Sequence, residues 1–410
     1  MLMRRLPVAW WRQPFRAEQR ATLVNVRVKW VKDRALDSVV ARERHLRHAH
    51  HLLDLISSDT TGRIPACDLS HRSSKLGLDV LSFLRYFPTI FRETRPSSSS
   101  SYFSLTDAAL RLRQLELDLL RDTESDLVDR LRRFLMLTLD RSVPLHTIDL
   151  LHWDLGLPRD YRLSLLPRYP QFFDLVHPPG DERVWLRLLC WDRCLAVSEL
   201  QRSSGVDGDG DGFCLAFPVS FTRGFGIKKK CATWLKEWQT LPYTSPYADA
   251  SALDPRTDVS EKRIVGVFHE LLHLTVAKKT ERRNVSNLRK PLGLPQKFTK
   301  VFERHPGIFY LSQKLATQTV VLREAYGGAR ELINKHPLVA IREEYAAMMR
   351  AAMPAKRRGA SHHKAEASEL EGGSSDSNTE EDGCSDVSGT FDSQADYKIV
   401  KMSGEGKMRE

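Results

Sequence analysis

The stretch Leu155-Gly156-Leu157, followed by Leu165-Leu166-Pro167-Arg168-Tyr169-Pro170 and then by Phe173, decides the fold of this chain because it recurs. The other copies are Leu76-Gly77-Leu78 before Phe83-Leu84-Arg85-Tyr86-Phe87-Pro88 and Phe91, and Leu292-Gly293-Leu294 before Val301-Phe302-Glu303-Arg304-His305-Pro306 and Phe309. In all three copies the Phe stands three residues beyond the last Pro. An internal repeat of this kind indicates an architecture of equivalent units.

Each copy predicts a short helix, a turn at Leu-Gly-Leu, and a second helix that ends before the proline, which has no backbone N–H to donate. A β-rich run follows each copy, at 102–106, 184–189 and 309–312. The predicted fold is α+β and predominantly helical, with repeated winged-helix-like helix-turn-helix units, short β-hairpins and disordered termini. Such units often bind nucleic acids, but the same pattern also serves plain packing, so the repeat indicates architecture more than function.

Periodicity predicts the remaining elements. Apolar residues at helical spacing favour helices at 36–56, 106–120, 127–139 and 261–276, and a long helix within 329–353. Residues 24–31 read Val-Asn-Val-Arg-Val-Lys-Trp-Val, and this alternation predicts a short strand with a basic face.

The charge of the chain is unevenly distributed. Its 410 residues include 63 Lys and Arg against 52 Asp and Glu, a formal net charge of +11. Residues 365–410 hold 12 acidic and 4 basic residues, so this tail carries −8 and residues 1–364 carry +19. A body this basic is a candidate polyanion binder, because clustered Lys and Arg displace counterions from phosphates. The net charge alone is also consistent with a soluble protein whose charged surface binds no polyanion.

Composition argues against several classes of protein. No stretch approaches the ~20 uncharged apolar residues of a membrane-spanning helix, so no membrane insertion is expected. The six cysteines are too sparse for a disulfide scaffold and form no Cys-x-x-Cys pair, which favours free thiols. The chain has no Walker A, G-x-G-x-x-G or G-x-S-x-G motif, so no catalytic residue is assigned.

The two ends of the chain differ from its body in composition. Residues 1–20 hold five arginines and a single acid, Glu18, with apolar residues between them, which is typical of an organellar presequence. We therefore predict a presequence at 1–22, an ordered region with three near-repeats at 23–350, and a disordered acidic tail at 356–410. The shortness of the presequence favours the mitochondrion, with the chloroplast as the alternative.

His269-Glu270-Leu271-Leu272-His273 matches the His-Glu-x-x-His motif on a predicted helix. Histidines four residues apart share a face and can bind zinc, with the Glu as general base, so a zinc-dependent hydrolase is one alternative function. The extended metzincin form fails, because Val276 and Lys279 replace its glycine and final histidine. Polar residues on a packed helix are the commoner situation, and we expect no metal and no cofactor. The conceivable third ligands are Glu281, Glu303 and His305, and no pattern selects among them.

Asp207-Gly208-Asp209-Gly210-Asp211-Gly212 begins like the calcium loop of an EF-hand. The twelfth position of that loop would be Pro218, which cannot supply the required bidentate carboxylate. The segment 203–212 therefore predicts a flexible acidic loop and no calcium site.

Basic and aromatic residues converge in three places. Basic side chains track phosphates, and aromatic rings stack on unpaired bases, so the basic residues are candidate RNA contacts. For Trp234 and Trp238, four residues apart, we favour burial in the core over stacking on RNA. The candidate contacts are Arg27, Lys29 and Lys32 around Trp30, then Lys228, Lys229 and Lys230, and finally Lys278, Lys279, Arg282, Arg283, Arg289 and Lys290.

Five blocks of the chain resemble one protein family. They are Val28-Lys29-Trp30-Val31-Lys32-Asp33-Arg34-Ala35-Leu36-Asp37, Phe83-Leu84-Arg85-Tyr86-Phe87-Pro88, Leu241-Pro242-Tyr243-Thr244-Ser245-Pro246-Tyr247, His305-Pro306-Gly307-Ile308-Phe309-Tyr310-Leu311-Ser312 and Val320-Val321-Leu322-Arg323-Glu324-Ala325-Tyr326. In this order they are similar to the plant organelle RNA recognition (PORR) domain, over residues 24–349.

The resemblance implies a nuclear-encoded protein that is imported into an organelle, binds organellar intron RNA and promotes splicing of group II introns, together with other splicing factors. The expected mechanism is stabilisation of the folded intron through basic surface contacts. The resemblance implies no catalytic residue, so no enzyme is expected. The family block matching 261–275 usually ends His-Glu-Leu-Leu-Ser-Leu, and His273 in place of the serine makes the zinc motif look accidental. A non-enzymatic protein-interaction scaffold is the third hypothesis.

Overall fold

The computed structural model describes residues 28–72, 76–95, 101–205, 214–251, 253–328 and 331–352. Within these ranges the chain is α+β, with many helices and small antiparallel sheets, as the sequence predicts. No helix in these ranges is long and apolar enough to cross a membrane. The predicted presequence, the acidic tail and most of the Gly/Asp loop lie outside the described residues, so they stay predictions.

The elements are numbered in chain order. The helices are α1 (Arg34–Arg42), α2 (Leu46–Ser57), α3 (Ala66–Arg72), α4 (Val80–Tyr86), α5 (Asp107–Asp122), α6 (Glu124–Met136), α7 (Leu145–Leu155), α8 (Tyr161–Ser164), α9 (Glu199–Ser203), α10 (Lys229–Gln239), α11 (Asp258–Leu274), α12 (Arg282–Ser286), α13 (Val301–Arg304) and α14 (Pro337–Ala352). The strands are β1 (Arg63–Pro65), β2 (Phe91–Thr94), β3 (Tyr102–Leu105), β4 (Ser142–Pro144), β5 (Phe173–Val176), β6 (Trp185–Leu188), β7 (Lys279–Glu281), β8 (Phe309–Ser312) and β9 (Thr319–Leu322). Short 3-10 helices lie at Leu166–Arg168, Phe298–Lys300 and Arg323–Ala325.

Three parts of the chain fold in the same order of elements, and we call them units one, two and three. In each, a helix leads into a three-residue strand, further helical segments follow, and a two-stranded hairpin closes the unit. Unit one runs from α2 to β3, unit two from α6 to β6, and unit three from α11 to β9. Each unit has an antiparallel sheet with its last strand in the middle, in the orders β1-β3-β2, β4-β6-β5 and β7-β9-β8.

The three Leu-Gly-Leu segments share an unusual backbone conformation at the glycine. Gly77, Gly156 and Gly293 have φ of +65°, +74° and +62°, a left-handed conformation that glycine adopts at the least cost. In unit two, the N–H of Leu157 donates to His152 O at 2.8 Å and closes the C-terminus of α7. In unit three, the N–H of Leu294 donates to Arg289 O at 2.9 Å with the same spacing, within the turns that follow α12. The repeated sequence therefore encodes a repeated left-handed glycine turn, and in unit two this turn directly ends α7.

The buried apolar residues form two main cores. One core joins units two and three through α6, α7 and α11, and the other belongs to unit one. Helix α14 joins unit one to the rest, because Tyr345 is buried in the core of unit one while Arg342 lies 3.6 Å above the ring of Trp153 in α7. The guanidinium of Arg342 also donates to Trp153 O at 2.9 Å. The three units therefore pack as one assembly.

Three expectations need correction. The described part of 24–31 is not a strand, because its backbone groups pair with no sheet. The region 36–56 is two helices, α1 and α2, separated by a turn at 43–45. The β-rich run after the third repeat is the first strand of its hairpin, whereas the runs after the other repeats are second strands. Sequence periodicity cannot distinguish the two strands of a hairpin, because both alternate alike.

Candidate nucleic-acid interface

A cavity of about 270 Å³ opens where three distant segments of the chain meet. These are the extended segment 28–31, the loop 221–225 and the hairpin of unit three. The rings of Phe221 and Phe225 stack with centroids 4.6 Å apart and planes 5° apart. Trp30 and Tyr310 stack with centroids 6.2 Å apart. Six of the fourteen residues that line the cavity are aromatic, and we call it the aromatic cavity.

Specific hydrogen bonds hold the segment 28–33 on unit three. The indole N–H of Trp30 donates to Leu311 O at 3.1 Å. The hydroxyl of Tyr310 accepts from the N–H of Asp33 at 3.0 Å and donates to the carboxylate of Asp37 at 2.9 Å. Burial is the main reason that the pKa of Tyr310 is raised, so this hydroxyl stays a donor at neutral pH.

The loop 221–225 reaches the cavity because unit three has a glycine at position 307. A Cβ atom there would lie 2.5 Å from Val219 Cγ1 and 2.9 Å from the ring of Phe221. The N–H of Ser220 also donates to Gly307 O at 2.9 Å. The close approach of the two backbones therefore requires the missing side chain.

Arg323 connects all three segments beneath the cavity. Its guanidinium donates to Asp33 at 3.2 Å, to Thr222 Oγ1 at 3.1 Å and to Pro306 O at 2.6 Å. The side chain is only 4 % exposed and lies 5.0 Å from the ring centroid of Tyr310. Sequence reasoning did not single out Arg323, and no spacing in the sequence connects it to its three partners.

Two predicted basic clusters directly flank residues that line this cavity or a smaller adjoining one. Lys29 is exposed beside Trp30, and Lys32 is half-buried next to Val31. Lys228, Lys229 and Lys230 are all exposed at the start of α10, directly after Ile227. Ile227, Val28 and Phe221 line a smaller adjoining cavity, so the two clusters are neighbours. Arg27 lies outside the described residues.

The two tryptophans of α10 have a different role. Trp234 is 6 % exposed and Trp238 is 1 % exposed, so both belong to the core shared by units two and three. The expectation of burial is confirmed.

The third predicted cluster is divided between buried and exposed positions. Lys279 is 7 % exposed, and its ammonium lies 2.9 Å from the carboxylate of Glu43. The ammonium of Lys278 donates to His273 O at the end of α11, and burial lowers the pKa of Lys278 to about 8. Both lysines are therefore engaged in contacts that stabilise the fold.

The remaining members of that cluster are more accessible. Arg282 donates to Gln318 Oε1 at 2.6 Å and lies 3.2 Å from Glu303, and both partners line the aromatic cavity. Arg283 is exposed beside Glu281 at 2.6 Å. Just before the Leu-Gly-Leu turn of unit three, Arg289 is half-buried and Lys290 is exposed.

The His-Glu-x-x-His motif acquires a third polar group in the fold. His269 and His273 lie on one face of α11, and Oε1 of Glu324 lies 2.7 Å from Nε2 of each. Of the ligands considered from sequence, Glu281 pairs with arginines and His305 with Glu261. Glu324 escaped sequence reasoning because it lies 51 residues beyond His273, and only the folding of β9 against α11 brings it close.

Glu270, the motif's expected general base, accepts hydrogen bonds from two other parts of the fold. It is fully buried, and its two carboxylate oxygens accept from the N–H of Glu199 and the hydroxyl of Tyr247, each at 2.7 Å. Burial is the main reason that the pKa of Tyr247 is raised well above 10. The carboxylate therefore anchors α9 and the loop 242–247, and neither oxygen is available to activate a water.

Comparison with known proteins identifies the family. The plant organelle RNA recognition domain matches residues 31–353. The chain is 34% identical over 338 residues to What's This Factor 9, mitochondrial, from Arabidopsis thaliana, covering 81% of this chain and 87% of that protein. It is 31% identical to the chloroplastic What's This Factor 1 homolog of Arabidopsis thaliana and to chloroplastic What's This Factor 1 of Zea mays, covering 80% of this chain each time and 64% and 68% of those proteins. No solved structure matches. The chain belongs to the plant organelle RNA recognition domain family.

Proposed function

We propose that this protein binds organellar intron RNA and promotes the splicing of group II introns. The aromatic cavity takes an unpaired base, and the lysines around it neutralise the adjacent phosphates. Membership of an organelle RNA recognition family supports this function. The aromatic cavity beside exposed lysines is the observation that carries it. Stacking on aromatic rings and neutralisation of phosphates are the two contacts by which proteins hold single-stranded RNA.

We also propose that the protein has no catalytic role of its own and leaves transesterification to the RNA. The engagement of both Glu270 oxygens supports this proposal over a zinc hydrolase. Each unit has its last strand central in a three-stranded sheet, and this order of elements supports a winged-helix-like arrangement. Because the deep major groove of A-form RNA excludes such helices, the units act here as a rigid platform and not as groove readers.

The proposed organelle is the mitochondrion. The short Arg-rich segment 1–22 supports import, and relatives from both mitochondria and chloroplasts support an organellar location without choosing between them. The test is to fuse residues 1–22 to a fluorescent reporter and to locate it in plant cells. Plastid fluorescence would contradict the mitochondrial assignment, and diffuse cytosolic fluorescence would contradict a self-contained presequence.

The function is tested first by sequencing RNA that co-purifies with the tagged protein from the organelle. We expect enrichment of one or a few introns, and retention of the same introns in plants that lack the protein. Co-purified RNA indistinguishable from that of an untagged control would contradict the proposal, as would normal splicing of every enriched intron.

Two variants separate the contributions of base and phosphate contacts. Replacing Lys228, Lys229 and Lys230 with Ala should flatten the dependence of log affinity on log salt by about 2, since each phosphate contact adds roughly 0.7–0.9. Phe225→Ala should weaken binding by about 1–3 kcal/mol and leave the salt slope unchanged, because stacking displaces no counterion. The matched control is Phe172→Ala, which removes a half-buried ring stacked on Tyr169 in unit two. Equal losses for Phe172→Ala and Phe225→Ala would contradict a base site in the cavity.

A further inference from the structure

His269, His273 and Glu324 form a cluster that the proposed RNA contacts do not use. The two histidines lie on α11, and Glu324 lies in the turn that follows β9. The three side-chain ligand atoms lie within 4.8 Å of one another. We propose that this cluster binds one divalent transition-metal ion of the zinc type, and that the ion clamps α11 to the end of β9.

The geometry of the cluster is close to that of a metal site. The histidines are four residues apart on one helix face, and their ring centroids are 4.6 Å apart. Glu324 Oε1 lies 2.7 Å from both Nε2 atoms. In tetrahedral zinc sites with bonds of about 2.0–2.1 Å, ligand atoms lie roughly 3.3 Å apart. Each nitrogen–oxygen pair therefore needs to open by only about 0.6 Å, which side-chain rotation supplies.

Two buried polar atoms of the cluster lack a hydrogen-bond partner among the residues that the structure describes. His269 is 2 % exposed, and its Nε2 makes no aligned hydrogen bond to any residue that the structure describes, despite its distance of 2.7 Å from Glu324. The second oxygen of Glu324 is likewise buried without a hydrogen-bond partner among the described residues. Two imidazoles thus compete for one carboxylate oxygen, whereas a metal ion would bind all three groups at once.

The ligand set selects the class of ion. Two imidazoles and one carboxylate suit zinc and related transition metals, whereas magnesium and calcium prefer oxygen ligands. The side chains of His273 and Glu324 are 18 % and 17 % exposed, so an ion can enter and a water can complete its coordination. The ring of Phe217 packs against His269 at 5.2 Å and shields the other side.

The proposed site is structural and not hydrolytic. A hydrolase would need a base beside the metal, and both oxygens of Glu270 are held by Glu199 and Tyr247. The ion would instead fix the turn that contains Glu324, and thereby the neighbouring Arg323. Zinc binding can be measured in the absence of RNA, so the test of this site does not depend on the proposed function.

The experiment uses the full-length protein, stripped of metal and titrated with zinc against a chromophoric chelator. We expect one high-affinity zinc ion per chain, a higher melting temperature when zinc is bound, and visible absorption bands of four-coordinate geometry when cobalt replaces zinc. His273→Ser and Glu324→Gln should each lower zinc affinity at least about 100-fold and abolish the rise in melting temperature. Both substituted side chains are partly exposed, and the melting of the metal-free variants reports whether they fold.

Two controls distinguish this site from adventitious binding. His336→Ser removes a histidine whose side chain is also 18 % exposed beside a carboxylate, that of Asp126. The double variant His362→Ser and His363→Ser removes the adjacent histidines near the acidic tail. Both controls should keep full zinc affinity. The proposal is overturned if the wild-type chain binds no stoichiometric zinc, if His273→Ser and Glu324→Gln bind as tightly as wild type, or if the double variant loses the ion.

Discussion

Lys279 and Lys229 both belong to the basic residues predicted to contact RNA, yet the fold places them in opposite surroundings. Lys279 is buried against Glu43, whereas Lys229 is exposed at the start of α10. Removing one partner of a buried ion pair costs about 3–5 kcal/mol, and since Glu43 is 24 % exposed we expect Lys279→Met to cost about 2 kcal/mol. Lys229→Met should change the free energy of unfolding by less than about 0.5 kcal/mol. Urea unfolding measures both, and equal destabilisation would contradict the difference in burial.

The same ion pair predicts a pH dependence. Burial raises the pKa of Glu43, but the charge and hydrogen bond of Lys279 outweigh it and lower the pKa below its usual 4.5. A carboxyl with a lowered folded-state pKa contributes stability that is fully present above the unfolded value and is lost as the pH falls through the folded value. The free energy of unfolding of the wild type should therefore fall as the pH drops below about 4.5, and that of Lys279→Met should fall less. Parallel pH profiles of the two proteins would argue against the pairing.

At the scale of the element, the Leu-Gly-Leu turns at Gly77 and Gly156 offer a matched comparison. Both residues have positive φ, so alanine at either position pays roughly 1–2 kcal/mol of backbone strain. A Cβ at Gly77 meets no atom within 4 Å, whereas one at Gly156 would lie 2.8 Å from Val276 Cγ1. We expect Gly77→Ala to cost about 1 kcal/mol and Gly156→Ala about 3 kcal/mol, because only the second adds overpacking. Chemical denaturation measures the free energy of unfolding of both variants. A larger decrease for Gly77→Ala than for Gly156→Ala would contradict the prediction.

At the scale of the whole molecule, residues 1–364 and residues 365–410 carry opposite net charges, +19 and −8. A tethered acidic segment competes with phosphates for the basic surface, and weak, non-specific RNA suffers most from the competition. Deleting 365–410 should therefore tighten binding to unrelated RNA more than to the cognate intron, most visibly at low salt. Salt titrations of both RNAs measure the effect.

The control for this deletion keeps the length of the tail. Residues 365–396 contain ten acidic residues and no Lys or Arg, and all ten are replaced with Asn or Gln. We expect this neutral tail to behave like the deletion, since the proposed effect depends on charge and not on bulk. A neutral tail that still suppresses non-specific binding would show that the mechanism is steric.

By itself, the sequence determined the local features of this protein. Apolar periodicity located α5, α6 and α11 within a few residues, because each helix buries one face and its pattern lies within the segment. The recurring Leu-Gly-Leu predicted three turns, because a left-handed backbone conformation favours glycine. The blocks of family resemblance also come from contiguous residues, and they identified the family before any contact was known.

Only the tertiary structure decided which distant residues meet. The aromatic cavity joins 28–31, 221–225 and unit three, and neither periodicity nor spacing connects them. Glu324 reaches His269 and His273 because β9 packs beside α11, and nothing in the sequence alone pointed to this third group. Lys279 and Lys229 cannot be distinguished by residue type, and the structure shows that Lys279 is buried and Lys229 is exposed. Many tertiary arrangements are compatible with the same local sequence patterns. Which of them forms depends on contacts between residues that lie far apart in the sequence.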